Sequence, residues 1–253
     1  MNAVSRTAIV TGAGSRRGIG RRTAHALAAG GYSVAILDID ASAASEAAAE
    51  IARNHDVKTS GCGCDVTDEA AVEAAVASIK SALPPVGALV NNAGVTSPVR
   101  FEKVTTAEWE RVLRINLHGS FLVTRSILPA MMAQGFGRIV MLSSVSAERG
   151  GGVFGGVAYS AAKAALLGFA RALAREVGSH GVTVNSVAPG LIDTDITAGK
   201  LDPERKARLI ADVPMNRVGQ TEDVADVIAF LCRPETSYVT GATWDINGGS
   251  HIH

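Results

Sequence analysis

Apolar positions along the 253-residue chain alternate between two rhythms. Short apolar runs occur at Thr7–Thr11, Ser33–Leu37, Lys58–Cys64, Ala88–Asn91, Arg138–Leu142, Thr183–Val187 and Thr243–Ile246. Most are brief and nearly free of polar interruption, which predicts strands buried on both faces. Helical spacing fills the gaps. Ile19, Thr23 and Leu27 recur at i, i+4 and i+8 ahead of Gly30-Gly31, a C-terminal cap signal. Val72, Val76, Ile79 and Leu83 repeat until Pro84-Pro85 ends the pattern. Thr105 and Glu108 have capping-box spacing in front of Trp109, Val112 and Leu113, and Val224, Val227, Ile228 and Leu231 mark the last strong helix. This alternation predicts an α/β fold, a doubly wound parallel sheet of about seven strands with helices on both faces. No repeat or linker interrupts it, so residues 1–253 read as a single domain. The connection from Asp193 to Arg217 is the least strand-like, and a substrate lid is expected over 193–215.

Composition narrows the function classes. Hydrophobic residues make up 47% and charged residues 19%, enough apolar material for a large core. Lys plus Arg equals Asp plus Glu at 24 each, so no overall basic field draws the chain to nucleic acid or to a membrane surface. Basic residues cluster once, at Arg16, Arg17, Arg21 and Arg22. Three cysteines make no disulfide framework, and Cys62 and Cys64, a C-x-C pair with no histidine nearby, read as reduced thiols rather than a metal site. The opening MNAVSRTAIVTG shows no leader pattern, and no run of about 18 apolar residues is present to span a membrane. A cytoplasmic location is the expectation.

The first strand leads into Gly12-Ala13-Gly14-Ser15-Arg16-Arg17-Gly18-Ile19-Gly20 and then a helix. Glycines in such a turn let a pyrophosphate approach the backbone, and helix N-terminal amides attract it. At the end of the second strand stands Asp38, eighteen residues after Gly20. A carboxylate there can accept hydrogen bonds from the ribose hydroxyls of NAD and repels the 2′-phosphate of NADP. Arg16 and Arg17 point the other way, since guanidinium groups hold phosphate. Capping the next helix is a second role open to Asp38, though Asp40 is equally placed for it. NAD is favoured, with NADP as the alternative.

Farther on, Tyr159 and Lys163 stand four residues apart and so share one helix face. Upstream, the apolar run RIVML ends in Ser143-Ser144, where a strand tip would present hydroxyls, and downstream comes Asn185-Ser186-Val187-Ala188-Pro189-Gly190. With Thr11-Gly12, Gly18-Ile19-Gly20, Asp65-Val66, Asn91-Asn92-Ala93-Gly94, Asn116 in INLHGSF and the terminal Asn247-Gly248-Gly249, these residues make the chain resemble the short-chain dehydrogenase/reductase family over essentially its full length.

The resemblance implies a Rossmann-type sheet, a nicotinamide cofactor, hydride exchange with a ketone or secondary alcohol, and assembly as a homotetramer. It implies Tyr159 as acid/base, Lys163 as its charge partner and ribose ligand, Ser144 on the substrate oxygen, and Asn116 as anchor of a water relaying protons from Lys163. Ser143 would pack below, and Ser146 is a lesser substitute for Ser144. Around the cofactor it implies Gly12, Arg17, Gly18, Ile19 and Gly20 at the phosphates and Asp38 at the ribose. Asp65 and Val66 would flank the adenine, although Asp65 is equally placed to open the helix near Thr67. Asn91, Asn92, Ala93 and Gly94 would lie near the nicotinamide ribose, with Pro189, Gly190, Ile192 and Thr194 toward the carboxamide. Ile39 is read equally as an adenine contact or as helix packing.

Two departures stand out. Five residues separate Gly12 from Gly18 where the family commonly has three, as though Arg16-Arg17 were added, and the stretch from Ser144 to Tyr159 is about two residues long. A tyrosine with a free pKa of about 10 must be lowered by two to three units to act as a base near neutrality, on the order of 3–4 kcal/mol of phenolate stabilisation. Lys163 and the cationic nicotinamide are the charges available for it. Small polar polyols, sugars or sugar acids are the expected substrates. A 3-oxoacyl thioester is the alternative, although reductases of that kind usually take NADPH. A nucleotide-binding regulator without catalysis is remote, because both Tyr159 and Lys163 are kept. The small-residue surface of Ala161, Ala162, Ala164, Ala165 and Leu166 would let a second subunit approach.

Overall fold

The computed structural model describes residues 5–195 and 203–252. Its strands are β1 (Thr7–Thr11), β2 (Ser33–Asp38), β3 (Thr59–Gly63), β4 (Val86–Asn91), β5 (Gly137–Leu142), β6 (Val182–Pro189) and β7 (Thr243–Ile246). The helices are α1 (Ile19–Ala29), α2 (Ala41–Asn54), α3 (Glu69–Ala82), α4 (Thr106–Leu113), α5 (Gly119–Ala133), α6 (Ser146–Arg149), α7 (Val157–Val177), α8 (Pro203–Ala211) and α9 (Thr221–Leu231). The strands form one parallel sheet in the order β3-β2-β1-β4-β5-β6-β7, the doubly wound arrangement read from the apolar runs.

Alternate side chains of each strand feed two cores. Ile9, Leu37, Leu89, Ile139 and Val184 face Val76 and Ile79 of α3, Ile127 of α5 and Leu166 of α7. Val10, Ile36, Val90, Val140 and Val187 face Leu27 of α1, Ile51 of α2 and Ile228 of α9. The inner strands β2, β1, β4, β5 and β6 are mostly apolar because neither face meets water, whereas the edge strands β3 (TSGCG) and β7 (TWDI) are only half-buried. Helix α7 is long and apolar enough to cross a membrane by length and composition alone, but its apolar stripe is spent on the first of these cores.

Strand ends differ from the apolar runs for identifiable reasons. β4 begins at Val86 because Thr7 pairs there, with the Thr7 amide donating to Pro85 O at 2.9 Å. β6 continues to Pro189, which sits opposite Ile246 at the end of β7. Thr105 caps α4, its hydroxyl accepting from Glu108 N at 3.1 Å, but the Glu108 carboxylate pairs with Arg111 at 2.9 Å instead of completing the box. Of the connection expected to form a lid, residues 196–202 lie outside the described residues, and α8 occupies most of the remainder.

Helix α2 lies unusually close to β3. A Cβ built on Gly61 would stand 2.7 Å from Ser45 Cα and closer still to the Ala44 carbonyl, so backbone rather than a movable side chain blocks it. Gly61→Ala is expected to lower the unfolding free energy by about 1–3 kcal/mol through overpacking, as read by urea unfolding; an unchanged midpoint would contradict this packing.

Candidate active site

β1 and β4 are neighbours whose connections leave on opposite faces of the sheet, and such a reversal opens a crevice at the C-terminal strand ends. The crevice is stapled by side chains from the two strand ends. Thr11 Oγ1 accepts from Asn92 N (3.0 Å) and Ala93 N (2.9 Å), while Asn92 Nδ2 donates to Thr11 O and Gly12 O, both at 2.8 Å. A cavity of about 810 Å³ opens over it, running from Asp38 and Asp65 past the glycine loop to Ser144 and Tyr159.

At one end, the glycine loop meets the observations a dinucleotide requires. Gly12 has φ +63°, and a Cβ on it would lie 2.7 Å from Ala93 Cα. Gly18 begins α1 with no side-chain cap and no acidic residue in the first turn, leaving the amide-rich helix end to an anion. Asp38 is fixed beneath the loop, with Oδ2 accepting from Gly14 N at 2.7 Å and Oδ1 from Asp40 N at 3.1 Å. Capping of α2 falls to Asp40, which accepts from Ala43 N at 3.0 Å. The competing arginines turn away. Arg16 pairs with Glu46 on α2 and Arg17 with Asp193 at 2.8 Å, and neither lines the cavity. Arg21 and Arg22 likewise face Glu50 (3.6 Å) and Glu222 (3.2 Å), so each arginine of the basic cluster faces a carboxylate.

At the other end, β5 delivers Ser143 and Ser144, and the first two turns of α7 deliver Tyr159 and Lys163. Ser143 is buried and its hydroxyl donates to Lys163 O at 2.8 Å, which leaves Ser144 as the hydroxyl bonded to Tyr159. Burial pushes the Tyr159 phenol above its ordinary value, and the Ser144 hydrogen bond pulls it back in part. Lys163 is 3% exposed, its Nζ donates to Leu142 O at 2.6 Å, and burial depresses its ammonium from 10.5 to about 8. Its Nζ lies 5.7 Å from the Tyr159 ring centroid. Asn116 occupies a π-helical turn, Arg114–His118, inserted between α4 and α5. Such turns add one residue per loop of helix and commonly appear where a side chain must be aimed. Here Asn116 Nδ2 donates to Val95 O (3.0 Å) and Val112 O (2.9 Å), and Oδ1 accepts from Val95 N (3.3 Å). A Cβ on Gly94 would stand 2.5 Å from Asn116 Oδ1 and 3.4 Å from Lys163 Nζ, so these two side chains pack directly behind Gly94 of the cavity lining.

Residues 12–251 match the family described as enoyl-(acyl carrier protein) reductase. An uncharacterized short-chain type dehydrogenase/reductase of Sinorhizobium fredii is 45% identical over 248 residues, 98% of either chain. The chain belongs to the short-chain dehydrogenase/reductase family. Two 3-oxoacyl-(acyl-carrier-protein) reductases are also similar. That of Aquifex aeolicus is 42% identical across 93% of this chain and 94% of its own length, and that of Escherichia coli is 39% identical across the whole of both.

Within this dehydrogenase/reductase, Gly12, Gly18, Ile19, Asp38, Ile39, Asp65, Val66, Asn92, Ala93, Gly94, Ser144, Tyr159, Pro189, Gly190, Ile192 and Thr194 all line the one cavity. Asn116, Lys163 and Gly20 stand behind the lining, and Arg17 faces the neighbouring cleft between α1 and α9. Sequence reasoning missed Ser15 and Asp195 at the loop, and Arg114, whose guanidinium donates to Thr67 O at 3.3 Å at the Asp65 end of the cavity. Ser15, inside the glycine loop between Gly14 and Arg16, and Asp195, directly after Thr194, each had a neighbour that marked it.

A buried ammonium facing one carbonyl weakens the fold. The depression of Lys163 from 10.5 to about 8 corresponds to roughly 3 kcal/mol. Its sign follows from linkage: the unfolded chain holds the proton more tightly, so the cost is full below pH 8 and disappears as pH rises toward 10.5. Lys163→Met is therefore expected to stabilise the cofactor-free protein at pH 7 by about 1–3 kcal/mol, with the difference narrowing between pH 8 and 10.5. A less stable variant at pH 7, measured by chemical denaturation, would contradict the assignment.

Proposed function

We propose that this oxidoreductase interconverts a secondary alcohol and a ketone with NAD(H) as the preferred cofactor. The observation that carries the reading is the hydrogen-bonded Ser144–Tyr159 pair beside the buried Lys163 ammonium, at the far end of a cavity that begins at Asp38. A nicotinamide held in the cavity between Asp38 and Tyr159 would supply the hydride acceptor for the alcohol carbon and the hydride donor for the ketone carbon. The chain's own groups handle the oxygen. Ser144 donates a hydrogen bond to it and stabilises the charge that develops there. Tyr159 takes the hydroxyl proton in oxidation and restores it in reduction. Lys163 supplies the positive charge that lowers the phenol, and its ammonium reaches the ribose hydroxyls. Asn116, pinned by its three hydrogen bonds, anchors the path by which protons pass from Lys163 to solvent.

Asp38 supports NAD because both its carboxylate oxygens are already oriented by backbone amides, and a 2′-phosphate would meet that fixed charge. The substrate wall supports a 3-oxoacyl or 3-hydroxyacyl thioester more than a polyol. Val145, Val153, Phe154, Leu209 and Val213 give apolar surface to a carbon chain, and the exposed Arg149 at the rim suits a negatively charged carrier. The full-length similarity to two 3-oxoacyl-(acyl-carrier-protein) reductases agrees with this. Polyols, sugars and sugar acids form the second reading, favoured by Ser146, Asp212 and Ser250 on the same wall. A single-domain subunit, homotetrameric assembly and a cytoplasmic location belong to the same proposal.

Steady-state assays with acetoacetyl thioesters and a polyol panel, each with both cofactors, test it. The reading expects at least about tenfold higher kcat/KM with NAD(H) than with NADP(H), roughly 1.4 kcal/mol, and Asp38→Ala should narrow that ratio. Tyr159→Phe should reduce kcat by about 10²–10⁴-fold with cofactor affinity nearly unchanged. Retention of more than a tenth of wild-type kcat would refute Tyr159 as the acid/base.

A further inference from the structure

The lengthened glycine loop is occupied by an anion belonging to the chain itself. Asp195, six residues past Pro189 at the end of β6, sends Oδ2 back to the loop, where it accepts from Ser15 Oγ at 2.6 Å and from Arg17 N at 3.3 Å. Arg17, one of five residues between Gly12 and Gly18, then turns its guanidinium outward to Asp193 at 2.8 Å. Ser15, Gly18 and Asp195 line the same cavity, at the uncapped start of α1. A carboxylate there meets the loop amide and hydroxyl that an incoming pyrophosphate would also seek, and it carries the same sign of charge.

We propose that Asp195 is an internal competitor for the pyrophosphate subsite, an affinity-setting residue that weakens binding of every nicotinamide dinucleotide by a common factor. The inference rests on the nicotinamide reading of the cavity. It separates two acidic residues by the part of the cofactor they oppose: Asp38 acts at the 2′-position and discriminates NAD from NADP, whereas Asp195 acts at the shared diphosphate and does not. It also assigns a consequence to the lengthened loop, because the loop amide that Asp195 engages is that of Arg17.

Calorimetric titration of the full-length wild type and Asp195→Asn with NADH, NADPH, ADP-ribose and adenosine tests this without turnover. The variant is expected to bind NADH, NADPH and ADP-ribose at least fivefold more tightly, by the same factor for each. Adenosine, which has no diphosphate, should bind unchanged. Asp195→Ala should shift affinities in the same direction, which guards against a new contact from the asparagine amide. Equal or weaker dinucleotide binding in both variants, or a gain shared by adenosine, would overturn the inference. Wild-type protein that binds none of the dinucleotides would overturn the cofactor reading together with it, whereas normal wild-type binding without a gain in the variants removes Asp195 alone.

Discussion

The Lys163 ammonium lies almost wholly out of water beneath the C-terminal edge of the sheet, its proton held against the Leu142 carbonyl at 2.6 Å. Charge in such a place opposes folding unless it is paired and fully hydrogen-bonded, and here a single carbonyl faces it. Around it the chain has arranged Ser143, which binds the Lys163 carbonyl, the fixed amide of Asn116, and Gly94, whose missing side chain leaves the space that Asn116 and Lys163 share. Helix α7 carries the lysine inward and the tyrosine one turn earlier toward the cavity, so a single rigid element sets their separation. Preorganisation of this kind fixes charge before substrate arrives. In the protein alone the balance still leaves the Tyr159 phenol above its ordinary value. A bound cationic nicotinamide is the additional charge that the arrangement calls for.

The remainder of the fold serves to bring that corner and the glycine loop to one crevice. Reversal of winding between β1 and β4 creates the opening, and the Thr11 and Asn92 hydrogen bonds hold its two lips at fixed spacing. Two sheet faces with separate cores allow six of the helices to pack without reaching across the strand ends.

Much of this was legible in the sequence for physical reasons. Strands buried on both faces are mostly apolar, which marks the inner strands, and the runs at the half-buried edges β3 and β7 also sit where those strands lie, with shifts only at the ends. The four-residue spacing places Tyr159 and Lys163 on one helix face, but their reading as a pair rests on the surrounding motifs and the family resemblance, and Asp38 was legible because it ends an apolar strand. The direction of a flexible side chain was not. Arg16 and Arg17 counted as phosphate ligands in the sequence, yet they pair with Glu46 and Asp193, which are remote in the chain, and neither lines the cavity. Asp195 was hidden for the same reason, since its contact with Ser15 spans 180 residues. The π-helical turn at Asn116 also leaves no trace in the apolar spacing, because Trp109, Val112 and Leu113 keep helical register up to its start.

The central claim is that Tyr159 becomes a usable base only when a cationic cofactor joins Lys163. Tyrosine ring-carbon NMR titration reads this directly, since the chain has three tyrosines and substituting Tyr32 and Tyr238 by phenylalanine isolates the signal. The account predicts a Tyr159 pKa above the ordinary value of about 10 in the free protein, falling by at least about two units with saturating NAD⁺. In Lys163→Met that fall should be largely lost. A Tyr159 that titrates at the same pH with and without NAD⁺, in protein shown to bind it, would contradict the account.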